Sequence, residues 1–234
     1  MKSRQAGFTL VEIAIVLVII GLLLGGVLKG QELINSAKVK NFATDFRNIP
    51  LFIYGYQDKY RALPGDHHAV TTAVTGSTLA TTPTTSGGNA CTNPTGGSTC
   101  TGNGVIDGTW NTTTVTDETA LFWQHARLGG FAGGPTSTGD AAYYPINADG
   151  GRIGIESGSA ATGGSYISGM TPTYLMCSTA ILGKYAKQLD TTMDDGNTAT
   201  GSMRVVTATH VRGAAPLATT AVDDSASYIV CMGL

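Results

Sequence analysis

Charged side chains are scarce in this sequence of 234 residues, in which Asp, Glu, Lys and Arg together make up only 13%. This share is about half of the usual value for soluble domains. The 14 basic and 16 acidic residues give a formal net charge of −2, and the part after Asp66 carries 6 Lys and Arg against 11 Asp and Glu. This balance argues against a nucleic-acid-binding protein, which needs clustered positive charge.

The familiar catalytic motifs are also missing. The sequence contains no G-x-S-x-G, no H-E-x-x-H, no G-x-x-x-x-G-K-S/T and no G-x-G-x-x-G that opens a helix after a strand. We therefore expect no enzymatic activity. The four histidines lack the spacing of metal ligands, and we expect them at the surface: His67, His68, His125 and His210.

A long apolar run stands near the N-terminus. Residues 13–28 have no polar side chain, and the run reaches back to Phe8 with only Thr9 and Glu12 interrupting it. As a helix these 21 residues measure roughly 31 Å, the thickness of one bilayer core. A cleaved secretory signal and a plain membrane anchor are the ordinary interpretations. Neither explains Glu12, because a carboxylate inside an apolar segment is costly and indicates a functional site.

The residues around this carboxylate form a specific motif, in which KSRQAG at positions 2–7 precedes FTLVE at positions 8–12. It resembles the class III signal of type IV prepilins and type II secretion pseudopilins. The resemblance implies cleavage between Gly7 and Phe8 by a prepilin peptidase, N-methylation of Phe8, and roles for Phe8 and Glu12 in subunit assembly. It also implies three parts: a leader at 1–7, a long helix at 8–60 whose segment 8–28 spans the membrane or enters the filament, and a globular head at 61–234.

The second half of the long helix is amphipathic. Six apolar residues recur at spacings of 4, 3, 4, 3 and 4, which places them on one helical face: Phe42, Phe46, Ile49, Ile53, Tyr56 and Tyr60. We expect this stripe to pack on the head of the same chain. Pro50 is expected to kink the helix. The small-residue spacing of Gly21, Gly25, Gly26 and Gly30 permits close helix approach and local flexibility.

The head has the pattern of an α+β fold. Short helices are predicted from about Asp117 to Leu128 and from Ser178, as N-cap, to Leu189. Four short strands are predicted: Arg152–Glu156, Tyr174–Cys177, Met203–Val211 and Ser227–Met232. Residues 71–101 form a long Thr/Gly-rich loop by composition. A long helix packed on a small antiparallel sheet with two short helices is the layout that the pilin resemblance implies.

The sequence contains four cysteines, at Cys91, Cys100, Cys177 and Cys231. Four cysteines can pair into two disulfides in three different ways. Export to an oxidising compartment favours disulfides over zinc, since no C-x-x-C pair is present. Proximity in sequence favours Cys91–Cys100. The remaining pair, Cys177–Cys231, is similar to the C-terminal disulfide of many type IV pilins.

One acidic cluster has two interpretations. Asp190, Asp194 and Asp195 stand just before Gly196-Asn197, and hard oxygen ligands this close are suited to calcium. The spacing is not that of an EF-hand, and a solvated turn after the second short helix explains the same residues. We expect no other cofactor.

The resemblance therefore predicts a structural subunit that polymerises with itself, or with other pilins or pseudopilins, into a helical filament. It implies a prepilin peptidase/N-methyltransferase and an inner-membrane assembly platform as partners. The subunit would cross the bacterial inner membrane once with its head in the periplasm, before it enters a pilus or pseudopilus or reaches the cell surface. The alternatives are a pseudopilin of a type II secretion system and a membrane-tethered extracytoplasmic binding module.

Overall fold

The computed structural model describes residues 10–67, 102–158 and 163–234, together with the backbone of residues 85–86 and 89–90. Several predicted features lie outside these ranges. They are the Gly7–Phe8 cleavage site, most of the Thr/Gly-rich loop, His68, and the pair Cys91 and Cys100.

Helix α1 runs from Leu10 to Tyr60. At 1.5 Å per residue its 51 residues extend for about 77 Å. Its first half is exposed, whereas its second half packs against the head. Five of the six predicted stripe residues are buried, Tyr60 is half-buried, and Val39 and Ala43 are buried beside them. The helix continues through Pro50, so the kink expected there stays a prediction.

The remaining elements form the head. Its helices are α2 (Glu118–Leu128) and α3 (Gly183–Met193), with a 3-10 turn at Thr219–Ala221. A two-residue hairpin pairs β1 (Thr85–Ser86) with β2 (Asn89–Ala90). The main sheet contains β3 (Ile153–Ser157), β4 (Tyr174–Leu182), β5 (Met203–Thr207) and β6 (Ser227–Gly233). It is antiparallel throughout, in the order β3-β4-β6-β5. The α+β architecture predicted from the sequence, with a long apolar N-terminal helix, is confirmed.

The predicted start of the second short helix is wrong. Ser178 lies inside β4 and caps no helix; its hydroxyl oxygen accepts a hydrogen bond from Asn147 Nδ2 at 2.8 Å. The strand bulges between Ser178 and Ile181, where Ala180 adopts a φ of 58°, and pairing with β6 then continues to Leu182. The helix begins only at Gly183. Interstrand pairing therefore overrides the N-cap preference of serine.

Strand β5 is likewise shorter than predicted. It ends at Thr207 rather than Val211, because its partner β6 pairs only as far as Tyr228 on that side.

The sheet has a buried core on each face. The larger core joins the stripe of α1 to the sheet and to α3, with Phe42 near Tyr185 and Tyr185 Oη donating to Asn35 Oδ1 at 2.7 Å. An ion pair between Lys38 Nζ and Asp149 Oδ1, 2.5 Å apart, also links α1 to the head. The second core lies apart from α1 and consists of Trp110, Tyr166, Ile167, Met170, Leu175, Cys177, Val206, Ile229 and Cys231.

Candidate functional site

Most of the large hydrophobic side chains that are exposed in the described part of the chain lie in the first half of α1. Every residue from Leu10 to Leu28 is exposed, including Leu22 at 74%. Within the described ranges, α1 is long and apolar enough to cross a membrane, judged by length and composition. A soluble monomer rarely exposes such a contiguous patch, which marks a membrane or interaction surface.

Glu12 lies in the first turn of α1. A carboxylate there is favoured by the partial positive charge of the helix N-terminus. Asn35 of α1 already accepts a hydrogen bond from Tyr185 of the head, and Val39 is the first buried residue of the helix. Glu12 therefore lies roughly 35 Å from these contacts along the helix axis. The fold therefore separates the predicted assembly residue from the described contacts between α1 and the head.

The four glycines in the first half of α1 have open space beside them in the described part of the chain. A Cβ added at Gly21, Gly25, Gly26 or Gly30 would meet no heavy atom within 4 Å. Packing within the described part of the chain therefore does not require glycine at these positions. Their predicted roles, which are close approach of neighbouring helices and local flexibility of α1, stay predictions.

The disulfide predicted between Cys177 and Cys231 is confirmed. The two cysteines face each other across the central strand pair β4–β6, with their Cα atoms 4.1 Å apart. Both are fully buried in the second core. The bridge thus ties the C-terminal strand to the middle of the sheet.

The structure brings the three predicted acidic residues together. Asp190 lies in the last turn of α3, Asp194 directly follows the helix, and Asp195 begins the loop to β5. One carboxylate oxygen from each residue lies within 4.8 Å of those of the other two. The sequence predicted this cluster, but could not show that Asp190 is completely buried.

The three carboxylates have different environments. Burial, and then the neighbouring carboxylates of Asp195 and Asp194, raise the pKa of Asp190 to about 7. The pKa of the exposed Asp195 is lowered, chiefly by the Thr200 hydroxyl and then by the Asn197 N–H. Asp194 accepts hydrogen bonds from Ser202 Oγ at 3.1 Å and from Met203 N at 2.8 Å.

The expectation that the histidines lie at the surface is wrong for two of them. His67 and His125 are buried beside Tyr56 of α1. Tyr56 Oη lies 2.8 Å from His67 Nδ1, and His125 Nδ1 accepts a hydrogen bond from Gly65 N at 2.9 Å. These rings connect the end of α1 to α2, a structural role that no spacing in the sequence indicates.

A second buried carboxylate was not predicted. Glu118 opens α2 and is completely buried, and its Oε2 accepts a hydrogen bond from Asp107 N at 2.8 Å. Burial raises its pKa to about 8, against the lowering effect of that hydrogen bond; the carboxylates of Asp66, Asp107 and Asp117 raise the pKa further.

We expect Glu118→Gln to stabilise the head at alkaline pH. Because the pKa of Glu118 is higher in the folded than in the unfolded state, its contribution favours folding at low pH. That contribution is lost as the pH rises from about 4.5 to about 8. Glutamine keeps an oxygen acceptor for Asp107 N but carries no charge. Urea denaturation should show equal stability of the two proteins near pH 4, and a gain for the variant on the order of a few kcal/mol above pH 8.

The control for this prediction is Asp58→Asn, which removes an exposed carboxylate from α1 and should leave the pH profile unchanged. An unchanged pH profile in Glu118→Gln would show that the buried carboxyl does not control this dependence.

Comparison with known families gives one match, to the prokaryotic N-terminal methylation motif, at residues 2–28. This match supports a type IV pilin-like prepilin with a class III signal sequence. Together with the exposed apolar half of α1, it supports a membrane-anchored, pilin-like protein. Comparisons with curated proteins and with solved structures give no match.

Proposed function

We propose that this protein is a structural subunit that assembles through its N-terminal helix into a type IV pilus-like filament. The observation that carries this proposal is the division of α1 into a half that packs on the head and an apolar half in which every residue from Leu10 to Leu28 is exposed. That apolar surface must be covered, either by lipid or by the helices of other subunits. A subunit whose apolar helix can move from lipid into a bundle of helices can be stored in the membrane and then polymerise.

The proposed assembly mechanism follows from this exchange. Moving α1 from lipid into a bundle of like helices replaces one apolar environment with another, so the hydrophobic contribution nearly cancels. Packing of small and apolar residues then gives attraction but little specific register. Glu12 supplies a polar contact. In the proposed filament its carboxylate meets the N-methylated amino terminus of Phe8 on a neighbouring subunit, which fixes the stagger between helices.

The proposal includes the proteins that act on the subunit. A prepilin peptidase/N-methyltransferase cleaves after Gly7 and methylates Phe8, and an inner-membrane assembly platform extracts the subunit. The head then lies in the periplasm until the filament carries it outward. A pseudopilin of a type II secretion system would use the same residues in the same way, so the destination of the filament separates the two functions.

We predict that the mature protein lacks residues 1–7 and carries one additional methyl group. Intact-mass spectrometry of the membrane-held and assembled protein measures both changes together. Gly7→Leu should leave full-length precursor in the membrane, because a bulky side chain blocks access to the backbone at the cleaved bond. Gly21→Leu is the matched control and should be processed normally, since that glycine has open space beside it.

Electron microscopy of sheared cell-surface material tests the function itself. Filaments that contain the mature protein support a pilus subunit. Filaments seen only on overexpression, together with a secretion defect on deletion, support the pseudopilin alternative. A processed protein that never polymerises would contradict the proposal and favour a membrane-tethered binding module.

A further inference from the structure

We propose that Asp190, Asp194 and Asp195 form a binding site for a divalent, oxygen-preferring cation, with calcium as the fitting ion. The site joins the C-terminus of α3 to the loop that leads into β5. It lies in the head, and is independent of the helix surface to which we assign assembly.

The separation of the carboxylates suits one shared ion. Oxygens that contact calcium lie 2.3–2.6 Å from it, so two ligands on opposite sides of the ion are up to about 5 Å apart. The three carboxylate oxygens all lie within 4.8 Å of one another. A single ion can therefore contact all three residues without rearrangement of the backbone.

Asp190 provides the independent indication of a ligand. Its side chain has no exposed surface, and neither carboxylate oxygen has a hydrogen-bond partner among the described residues. The equally buried Glu156, by contrast, is paired through both of its carboxylate oxygens. Arg212 Nη1 donates to Glu156 Oε1 at 2.8 Å, while Arg212 Nη2 and the backbone N–H of Trp110 donate to Oε2 at 2.6 Å and 2.9 Å. A buried carboxylate without partners is costly unless another group supplies positive charge or a proton.

No protein cation supplies that charge within the described ranges, where no Lys or Arg nitrogen lies within 4.0 Å of the three carboxylates. Arg204 exerts a small effect on Asp195, but its Nη1 donates to Ser168 O at 2.9 Å. An external cation therefore has three carboxyl groups to bind and one arginine to compete with.

The loop holds the two outer carboxylates in place before any ion binds. Asp195 accepts hydrogen bonds from Asn197 N at 2.8 Å and from Thr200 Oγ1 at 2.6 Å, and Asp194 is held by Ser202 and Met203. Gly201, with a φ of 70°, lies so close that a Cβ there would collide with Asp194 Oδ2. Each carboxylate has about four lone-pair sites, so these bonds leave acceptor capacity for a metal.

The donor set selects among metals. All three ligands are carboxylates, whereas zinc sites favour nitrogen and sulfur. Magnesium demands an octahedral shell at 2.0–2.1 Å, while calcium accepts longer and irregular contacts and fills the remaining positions with water or backbone carbonyls. The spread of the three oxygens favours calcium.

The test measures calcium-dependent thermal stability of the full-length mature protein in detergent micelles. At a calcium concentration about 100 times the Kd, we expect Tm to rise by about 5–10 °C relative to chelator-treated protein. Equilibrium dialysis with radioactive calcium should show one ion per chain. Equimolar magnesium should produce a much smaller rise in Tm.

The variant Asp190→Asn distinguishes between two roles of Asp190, as a metal ligand or as a buried acid that only affects stability. This variant should fold in chelator at least as stably as the wild type, because it removes a buried charge, but it should lose the calcium-dependent rise. Asp195→Asn changes an exposed residue and should weaken calcium binding at least tenfold, which keeps the test decisive if Asp190→Asn fails to fold. The matched control is Asp224→Asn, in another exposed Asp-Asp pair, which should keep the full response.

The proposal is overturned if calcium leaves the wild-type Tm unchanged, or if Asp190→Asn or Asp195→Asn keeps the wild-type response. Because these measurements use single subunits in detergent, they do not depend on filament formation. Failure of the assembly proposal would leave this result untouched, and failure of the calcium site would leave assembly untouched.

Discussion

Replacing Glu12 with alanine is expected to abolish filament assembly while the subunit still folds and inserts into the membrane. Removing a carboxylate from an apolar helix makes insertion easier, so the membrane-held pool should persist or grow. The contacts with the head begin roughly 35 Å away along α1, so the disulfide and the melting of the head should not change. Loss of one partner of a desolvated ion pair costs about 3–5 kcal/mol. We therefore expect the ratio of assembled to membrane-held subunit to fall by at least about a hundredfold.

Glu12→Gln distinguishes charge pairing from a neutral hydrogen bond. If the ion pair with a neighbouring amino terminus sets the stagger, glutamine should fail almost as completely as alanine. Assembly of the glutamine variant would show that a hydrogen bond is enough. Glu32→Ala is the matched control, because Glu32 lies on the same helix beyond the apolar run and pairs with Lys29 in solvent. Normal filaments from Glu12→Ala would refute the mechanism.

The second large effect is expected from the disulfide between Cys177 and Cys231. The bridge spans 54 positions, for which loop-closure entropy gives a stabilisation of about 4 kcal/mol. We choose alanine as the replacement for both cysteines, because serine would leave a buried hydroxyl group without a hydrogen-bond partner. The double alanine variant should have a Tm of the head lower by roughly 10 °C. Thermal melting followed by circular dichroism measures the change.

Removal of the other two cysteines provides the comparison. The pair predicted between Cys91 and Cys100 closes a much shorter loop, so the double alanine variant at these positions should lose less stability. Non-reducing peptide mapping checks the pairing directly. A peptide linking Cys100 to Cys177 would contradict both assignments. Equal losses of Tm in the two double variants would show that loop length does not determine the stabilisation.

The sequence alone determined the features that depend on local pattern. The KSRQAG-FTLVE motif, the apolar run and the stripe from Phe42 to Tyr56 each follow from residue order within a few helical turns. Apolar residues at helical spacing lie on one face of the helix, and that face must pack against the core. The stripe, and therefore the side of α1 that meets the head, follow from the sequence. Helix α2 follows for the same reason, since its apolar residues and the following Gly129 lie close together in the chain.

Only the tertiary structure decided where strands end and which polar groups are buried. Ser178 is a good N-cap by type, yet β4 continues through it because β6 offers pairing partners as far as Ser227. Asp190, Glu118, His67 and His125 look like surface residues by composition, but the surrounding elements bury them. Burial depends on neighbours distant in sequence, which no local spacing encodes. The desolvation that raises the pKa of Glu118, and that leaves the Asp190 carboxylate without partners, therefore arises only once α2, α3 and the sheet have packed together.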